Sequence, residues 1–218
     1  MAVFKDGSIE GTIGGGGLEK LVIKDALDVL KRERSILKEY PLNKESGLQV
    51  CGGAVSIFIE ALGPAKKLII AGGGHIGLSL SLIAKLLGLS VTVVDNRRDF
   101  ADKKRFPHAD EIIYAPYARA LKRQSIDRNT FVVIVTHAHA HDTECLRAAL
   151  KTDAAYIGMI GSKTKIKLVF DRLRKEGVDK DKLRKVHTPV GLKIGAQTPE
   201  EIAVSIAAEL VEVYRRSE

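Results

Sequence analysis

The chain has 218 residues, 45% hydrophobic and 28% charged, with a formal net charge of +8. That much aliphatic sequence excludes intrinsic disorder, and the length allows one large domain or a large one with a small companion. The basic balance suits an anionic ligand, but "LKRERS" and "VDKDKLRKV" interleave bases with acids, and no basic patch threaded with aromatics marks a nucleic-acid surface.

The opening "MAVFKDGSIEG" has no apolar run behind a basic start, so it does not read as a signal peptide. "AVFKDG" and "GTIGG" predict short strands around an Asp-Gly turn. Residues 18–37 place Leu18, Leu21, Val22, Ala26, Val29 and Leu30 at helical spacing, which predicts one helix with one buried face. "LQVCGGAVSIFIEAL" is β-rich and interrupted by Gly52-Gly53, and Gly63-Pro64 is a breaker, so a small domain is expected over 1–65. Cys51 precedes the two glycines, which leave room for a ligand beside a thiol. Composition alone favours a small buried hydrophobe at that position. Two cysteines, Cys51 and Cys145, make no disulfide framework and point to a reduced, cytoplasmic protein.

Residues 66–218 alternate strand and helix. Strands are predicted at Lys67–Ala71, Ser90–Val94, Glu111–Tyr114, Phe131–Thr136 and Ala155–Ile160, with helices near 75–87, 142–151, 163–176 and 199–215. "KLIIA", "VTVV" and "FVVIV" are apolar on both faces and belong inside a sheet covered on both sides. The apolar run 76–94 contains Lys85 and Gly88 and reads as a buried helix followed by a buried strand, not a membrane span. Thr198, Pro199 and Glu201 form a capping box for the last helix. The fold class is α/β: a Rossmann-like doubly wound parallel sheet with a small N-terminal α+β domain.

Strand "KLIIA" runs into Gly72-Gly73-Gly74-His75-Ile76-Gly77, and a helix follows. In that context Gly72 allows a tight turn, Gly74 lets backbone approach a pyrophosphate, and Gly77 lets the helix pack close. The helix start offers free amides to an anion. His75 stands at the loop tip, either beside that anion or as a plain exposed ring. Asp95 ends the next strand eighteen residues after Gly77, where an acid accepts from ribose hydroxyls. Arg97 or Arg98 would instead hold a 2′-phosphate, so NAD and NADP both stay open. "THAHAHD" sets His137, His139, His141 and Asp142 beyond a buried strand. His137 is the best ligand contact there, Asp142 reads as a helix cap, and no metal site is assigned. "GSKTK" opens another helix, with Ser162 as a cap and Lys163 and Lys165 as anion contacts or solvated lysines.

Across nearly the whole chain, "GTIGGGGLEKLVIKDA", "CGGAVSIFIE", "IAGGGHIGLSLSLIAKLLGLSVTVVDNRRDFADKKRFPHAD", "VIVTHAHAHDTECL", "YIGMIGSKTK" and "HTPVGLKIGAQTPEEIAVSIAAEL" occur in an order that resembles the XdhC/CoxI family, accessory factors of xanthine dehydrogenase and related molybdenum hydroxylases. The resemblance implies an accessory protein that binds the molybdenum cofactor (molybdopterin), assists its sulfuration and passes it to the apoenzyme. It implies partners as well: a molybdenum hydroxylase apoenzyme and a cysteine desulfurase. Exposed sheet edges would suit a homodimer, and the hydropathy and charge pattern leads to the expectation of no membrane and no nucleic-acid partner. Cys51 would then be a soft ligand near the metal or its sulfur, and Gly72, Gly74, His75, Ile76, Gly77, Asp95, Arg97, His137, Ser162 and Lys163 would hold the anionic part. Two features depart from the family pattern. Relatives usually carry a segment before the position of Met1, and Gly17 stands where many have cysteine. The alternative reading is an NAD(P)-dependent oxidoreductase.

Overall fold

In the N-terminal part, strands β1 (Ala2–Val3) and β2 (Ile9–Glu10) pair antiparallel. Helix α1 (Gly16–Arg32) follows, then strands β3 (Ile36–Pro41) and β4 (Ala54–Ile59), which pair antiparallel from Ile36↔Ile59 to Pro41↔Ala54. The computed structural model describes residues 1–32, 34–42, 53–63 and 66–216. The chain separates into two compact units, Met1–Pro64 and Ala65–Ser217.

The helical stripe seen in the sequence buries Val22, Ala26 and Val29 against Tyr40 and Ile59. Tyr40 Oη and Lys38 Nζ both donate to Asp25 Oδ2, at 2.6 and 2.7 Å, which ties β3 to α1. The expectation of a helix through residue 37 is corrected: Ile36 and Leu37 are in β3. No glycine or proline separates them from α1, so their apolar character reads as helix until the partner strand is known. Ladder bonding to β4 overrides local propensity there. Cys51 lies outside the described residues.

In the second unit, β5 (Lys67–Ala71), β6 (Ser90–Asp95), β7 (Glu111–Tyr114), β8 (Thr130–Ile134) and β9 (Tyr156–Met159) form one parallel sheet in the order β7-β6-β5-β8-β9. The helices are α2 (His75–Leu86), α3 (Tyr117–Arg123), α4 (His139–Ala149), α5 (Lys163–Lys175), α6 (Lys180–Arg184) and α7 (Pro199–Arg216). Alternate residues of the central strands feed opposite cores. Leu68, Ile70, Val91, Val93, Phe131 and Val133 meet α2 and α7 through Leu80, Ala84, Ala203 and Ile206. Ile69, Ala71, Val94, Val132 and Ile134 meet α3, α4 and α5 through Tyr117, Leu121, Leu146, Val169 and Leu173. This is the doubly wound arrangement that strands apolar on both faces require. Among the described residues, no helix is long and apolar enough to cross a membrane.

The capping box forms as read. Glu201 N donates to Thr198 Oγ1 at 3.2 Å, and Glu201 Oε2 accepts from Thr198 N and Gln197 N at 3.1 and 2.7 Å. The short helices α3 and α6 escape a reading based on long stripes. Helix α4 starts at His139 instead of 142, so Asp142 is not its cap but a buried residue of its first turns. Beside β9, His187 N donates to Ile157 O, and Met159 N donates to His187 O. Glu209 of α7 holds the segment that follows: it accepts from Tyr156 Oη at 2.6 Å and Gly191 N at 2.7 Å, and its Oε1 lies 3.0 Å from His187 Nδ1.

Candidate functional site

The chain runs β5, β6, β7 in one direction and then returns to place β8 on the other side of β5. That reversal opens a crevice outside the carboxyl ends of β5 and β8, the usual ligand position in such sheets. The glycine turn lies at that edge and is built by contact. Gly72 has φ +128°, and a Cβ there would meet Val135 O at 2.3 Å. A Cβ on Gly73 would meet Phe100 O at 2.1 Å, and one on Gly77 would meet Gly72 O at 2.0 Å. Gly74 differs: a Cβ there would meet nothing within 4 Å. Three glycines let the turn close on itself, while the fourth faces open space.

Gly74 is the N-cap of α2, and no side chain caps it. The first amides of such a helix have no intrahelical acceptor and carry partial positive charge. Ala138, the N-cap of α4, likewise supplies no side-chain cap. Two uncapped helix starts therefore follow the two strands that border the crevice. His75 is exposed at the first position of α2, while Ile76 packs partly into the core, so its contribution to a ligand is its amide.

Asp95 ends β6 and is fully buried. Its Oδ1 accepts from Arg97 N at 2.9 Å and Arg97 Nε at 3.0 Å, and its Oδ2 accepts from Gly73 N at 2.8 Å and Arg97 Nη2 at 2.9 Å. Burial alone would raise the Asp95 pKa. The Arg97 guanidinium and the two amides outweigh it and hold the carboxyl below its ordinary range. Arg97 lies 3.5 Å from the centroid of the Phe100 ring. Arg105 donates through Nε to Gly73 O at 2.9 Å, and its Nη2 is buried with no partner. Arg105 stands in the stretch "RFPHAD", where nothing in the spacing marks it as reaching back to the turn.

On the α3 and α4 side, His137 and His141 lie with ring centroids 5.1 Å apart, and His141 is 5.4 Å from the Tyr117 ring. Asn96 Nδ2 is 3.1 Å from His141 Nε2. The buried edge of the His137 ring, then the Arg97 guanidinium and His141, hold its pKa below the ordinary histidine range. Asn96 Oδ1, Tyr117 Oη and His141 Nδ1 are buried without hydrogen-bond partners. No motif along the chain marks Asn96 and Tyr117 as members of this edge. His139 opens α4, and its side chain lies outside the described part. Among the described residues, no group of three or more histidine, cysteine or acidic side chains is arranged to hold a metal ion.

Ser162 caps α5 by accepting from Lys165 N at 3.3 Å, and Lys163 is exposed. Lys165 is not solvated: its ammonium pairs with the buried Asp142 carboxylate, which also accepts from Thr136 Oγ1 at 2.6 Å. This pairing joins α4, α5 and the end of β8.

Comparison with known proteins agrees with this layout. A model of the XdhC Rossmann domain matches residues 68–210, and a model of the XdhC and CoxI family matches residues 1–41. An uncharacterised Escherichia coli (strain K12) protein, YqeB, is 35% identical over 217 residues, covering 98% of this chain and 40% of its own length. A Bacillus subtilis (strain 168) protein, named a probable subunit of xanthine dehydrogenase, is 32% identical over 161 residues, covering 74% of this chain and 47% of its own length. The chain thus spans less than half the length of these two curated relatives. A crystal structure described as a xanthine dehydrogenase from Bacillus halodurans is 25% identical, with a TM-score of 0.63 over 99% of this chain and 86% of that one.

Proposed function

Because the chain belongs to the XdhC and CoxI family, we propose that it is an accessory factor for a xanthine dehydrogenase-type molybdenum hydroxylase. In this reading it binds the molybdenum cofactor, assists its sulfuration and passes it to the apoenzyme, with a cysteine desulfurase as sulfur source and a homodimer as the working form. The observation that carries the binding half is the glycine turn, where Gly74 faces open space at an uncapped helix start. A phosphorylated pterin is anionic, and free amides at a helix start stabilise an anion without a counter-charge. The orphaned Arg105 Nη2 is a second buried donor beside the same turn.

The residues fit such a group. The amides of Gly74, His75, Ile76 and Gly77 and the Arg105 guanidinium would take its phosphate, with His75 and His137 at the rim and Ser162 and Lys163 at the start of α5. When bound, the cofactor would supply a metal centre with a terminal sulfur, and the Cys51 thiolate would be a soft ligand near the metal or its sulfur. The test is mass spectrometry of small molecules that copurify with the chain, paired with the activity of a molybdenum hydroxylase matured with and without it. Retained molybdopterin and a chain-dependent gain of activity are expected. No retained cofactor together with normal maturation in its absence overturns the proposal.

A second reading is supported by the same turn: its approach from β5 into α2 suits a nucleotide diphosphate, so the crevice also fits an NAD(P)-type ligand.

A further inference from the structure

At the carboxyl end of β6, a dinucleotide site that takes a free ribose has an acid that accepts from the 2′- and 3′-hydroxyls. Asp95 occupies the position but has nothing left to offer. A carboxylate has about four lone-pair sites, and Asp95 receives four hydrogen bonds, three from Arg97 and one from Gly73 N. It is also fully buried. A ribose diol would find no free acceptor there.

What faces outward in its place is the arginine. The Arg97 side chain is 32% exposed. Two of its three guanidinium nitrogens bind Asp95, and Phe100 lies against it at 3.5 Å. The fork is therefore fixed in place, with the donors of Nη1 turned away from the carboxylate. Such a fixed fork matches a phosphate better than a flexible ammonium does. The surroundings carry the same sign. Segment 95–105, "DNRRDFADKKR", holds five bases, Arg97, Arg98, Lys103, Lys104 and Arg105, against three acids, Asp95, Asp99 and Asp102. The Asp95 charge is already matched by Arg97. Arg105 also lies near Phe100, 5.2 Å from the ring centroid, with its Nη2 buried and without a hydrogen-bond partner. An unmet buried donor is costly, and an anionic acceptor removes the cost.

We propose that this crevice selects a nucleotide bearing a phosphate, not a free diol, over the end of β6, so that of the two nicotinamide dinucleotides it takes the 2′-phosphorylated one. The inference rests on the reading of the crevice as a nucleotide site. It turns the acid that ordinarily recognises a diol into the residue that aims an arginine.

The experiment is a fluorescence titration of the full chain with NADPH and NADH, which differ by one phosphate at the point in question. NADPH is expected to bind tighter by about tenfold or more, the scale of a charge-assisted hydrogen bond, and the ratio is expected to shrink as salt rises. In Arg97→Gln the ratio should fall toward one. If that variant does not fold by circular dichroism, the salt dependence of the unmodified chain decides. Equal binding, tighter NADH, or a salt-independent ratio overturns the phosphate selection while leaving the nucleotide crevice standing. Binding of neither dinucleotide overturns the crevice reading and this inference together.

Discussion

Arg97 grips both oxygens of the Asp95 carboxylate, and through Gly73 N the same carboxylate pins the glycine turn. One fully buried acid thus couples the end of β6 to the loop after β5. Removing one partner of such a pair leaves an uncompensated buried charge, which costs about 3–5 kcal/mol. Arg97→Gln is expected to lower unfolding stability by that order in a urea titration. Arg97→Lys should recover only part of it, because an ammonium cannot span both oxygens. A midpoint unchanged in Arg97→Gln would mean that Asp95 relaxes to solvent, and the turn would not depend on the pair.

Much of this is legible in the sequence, and the boundary is physical. The central strands are apolar on both faces, the turn shows its glycines, and the α7 cap keeps its side-chain pattern, so fold, turn and cap announce themselves locally. The roles of Arg105, Asn96 and Tyr117 depend on which strand ends the topology brings to one edge, and no period along the chain encodes that. Asp95 illustrates both sides: its position is readable, but its partner Arg97 gives it a different task.

Acid should act on two carboxylates, the buried Asp95 and the part-buried Glu209. Burial would raise both Asp95 and Glu209, but the Arg97 guanidinium in one case and the Tyr156 hydroxyl, Gly191 amide and His187 in the other hold each below its ordinary value. A group whose folded pKa is depressed contributes stability above its unfolded pKa and loses it as pH falls through the folded one. The melting temperature should therefore hold near neutrality and fall progressively below about pH 5. Glu209→Gln should flatten part of that fall and lower stability at neutral pH by about 1–3 kcal/mol, because the segment before Gly191 loses its charged acceptor. An acid limb of the same slope in variant and parent would show that Glu209 titrates as an ordinary exposed acid.

The two thiols should behave differently. Cys145 is buried, and burial pushes its pKa well above the ordinary cysteine value, so it stays a thiol and reacts slowly. Alkylation of the native chain followed by peptide mapping is expected to spare Cys145. Cys51→Ser is expected to leave the melting temperature in place and lower the amount of molybdenum cofactor that copurifies. Full cofactor retention in Cys51→Ser would return Cys51 to the role of a small core residue.

The glycines of the turn offer a separation of fold from site within six residues. A Cβ at Gly77 would stand 2.0 Å from Gly72 O, a backbone atom that cannot step aside, so Gly77→Ala should lower stability by about 1–3 kcal/mol or more, as overpacking does. Gly74 has φ −69°, which any residue adopts, and open space where its side chain would be. Gly74→Ala should therefore change stability by no more than about 1 kcal/mol, mainly through the poorer N-cap. Its methyl group would nevertheless stand in the path of an anion approaching the first amides of α2. The expected result is a near-normal urea midpoint with dinucleotide or cofactor binding weakened about tenfold or more, the loss of a charge-assisted contact. If Gly74→Ala binds as well as the parent, the ligand does not approach α2 from the side that Gly74 leaves open.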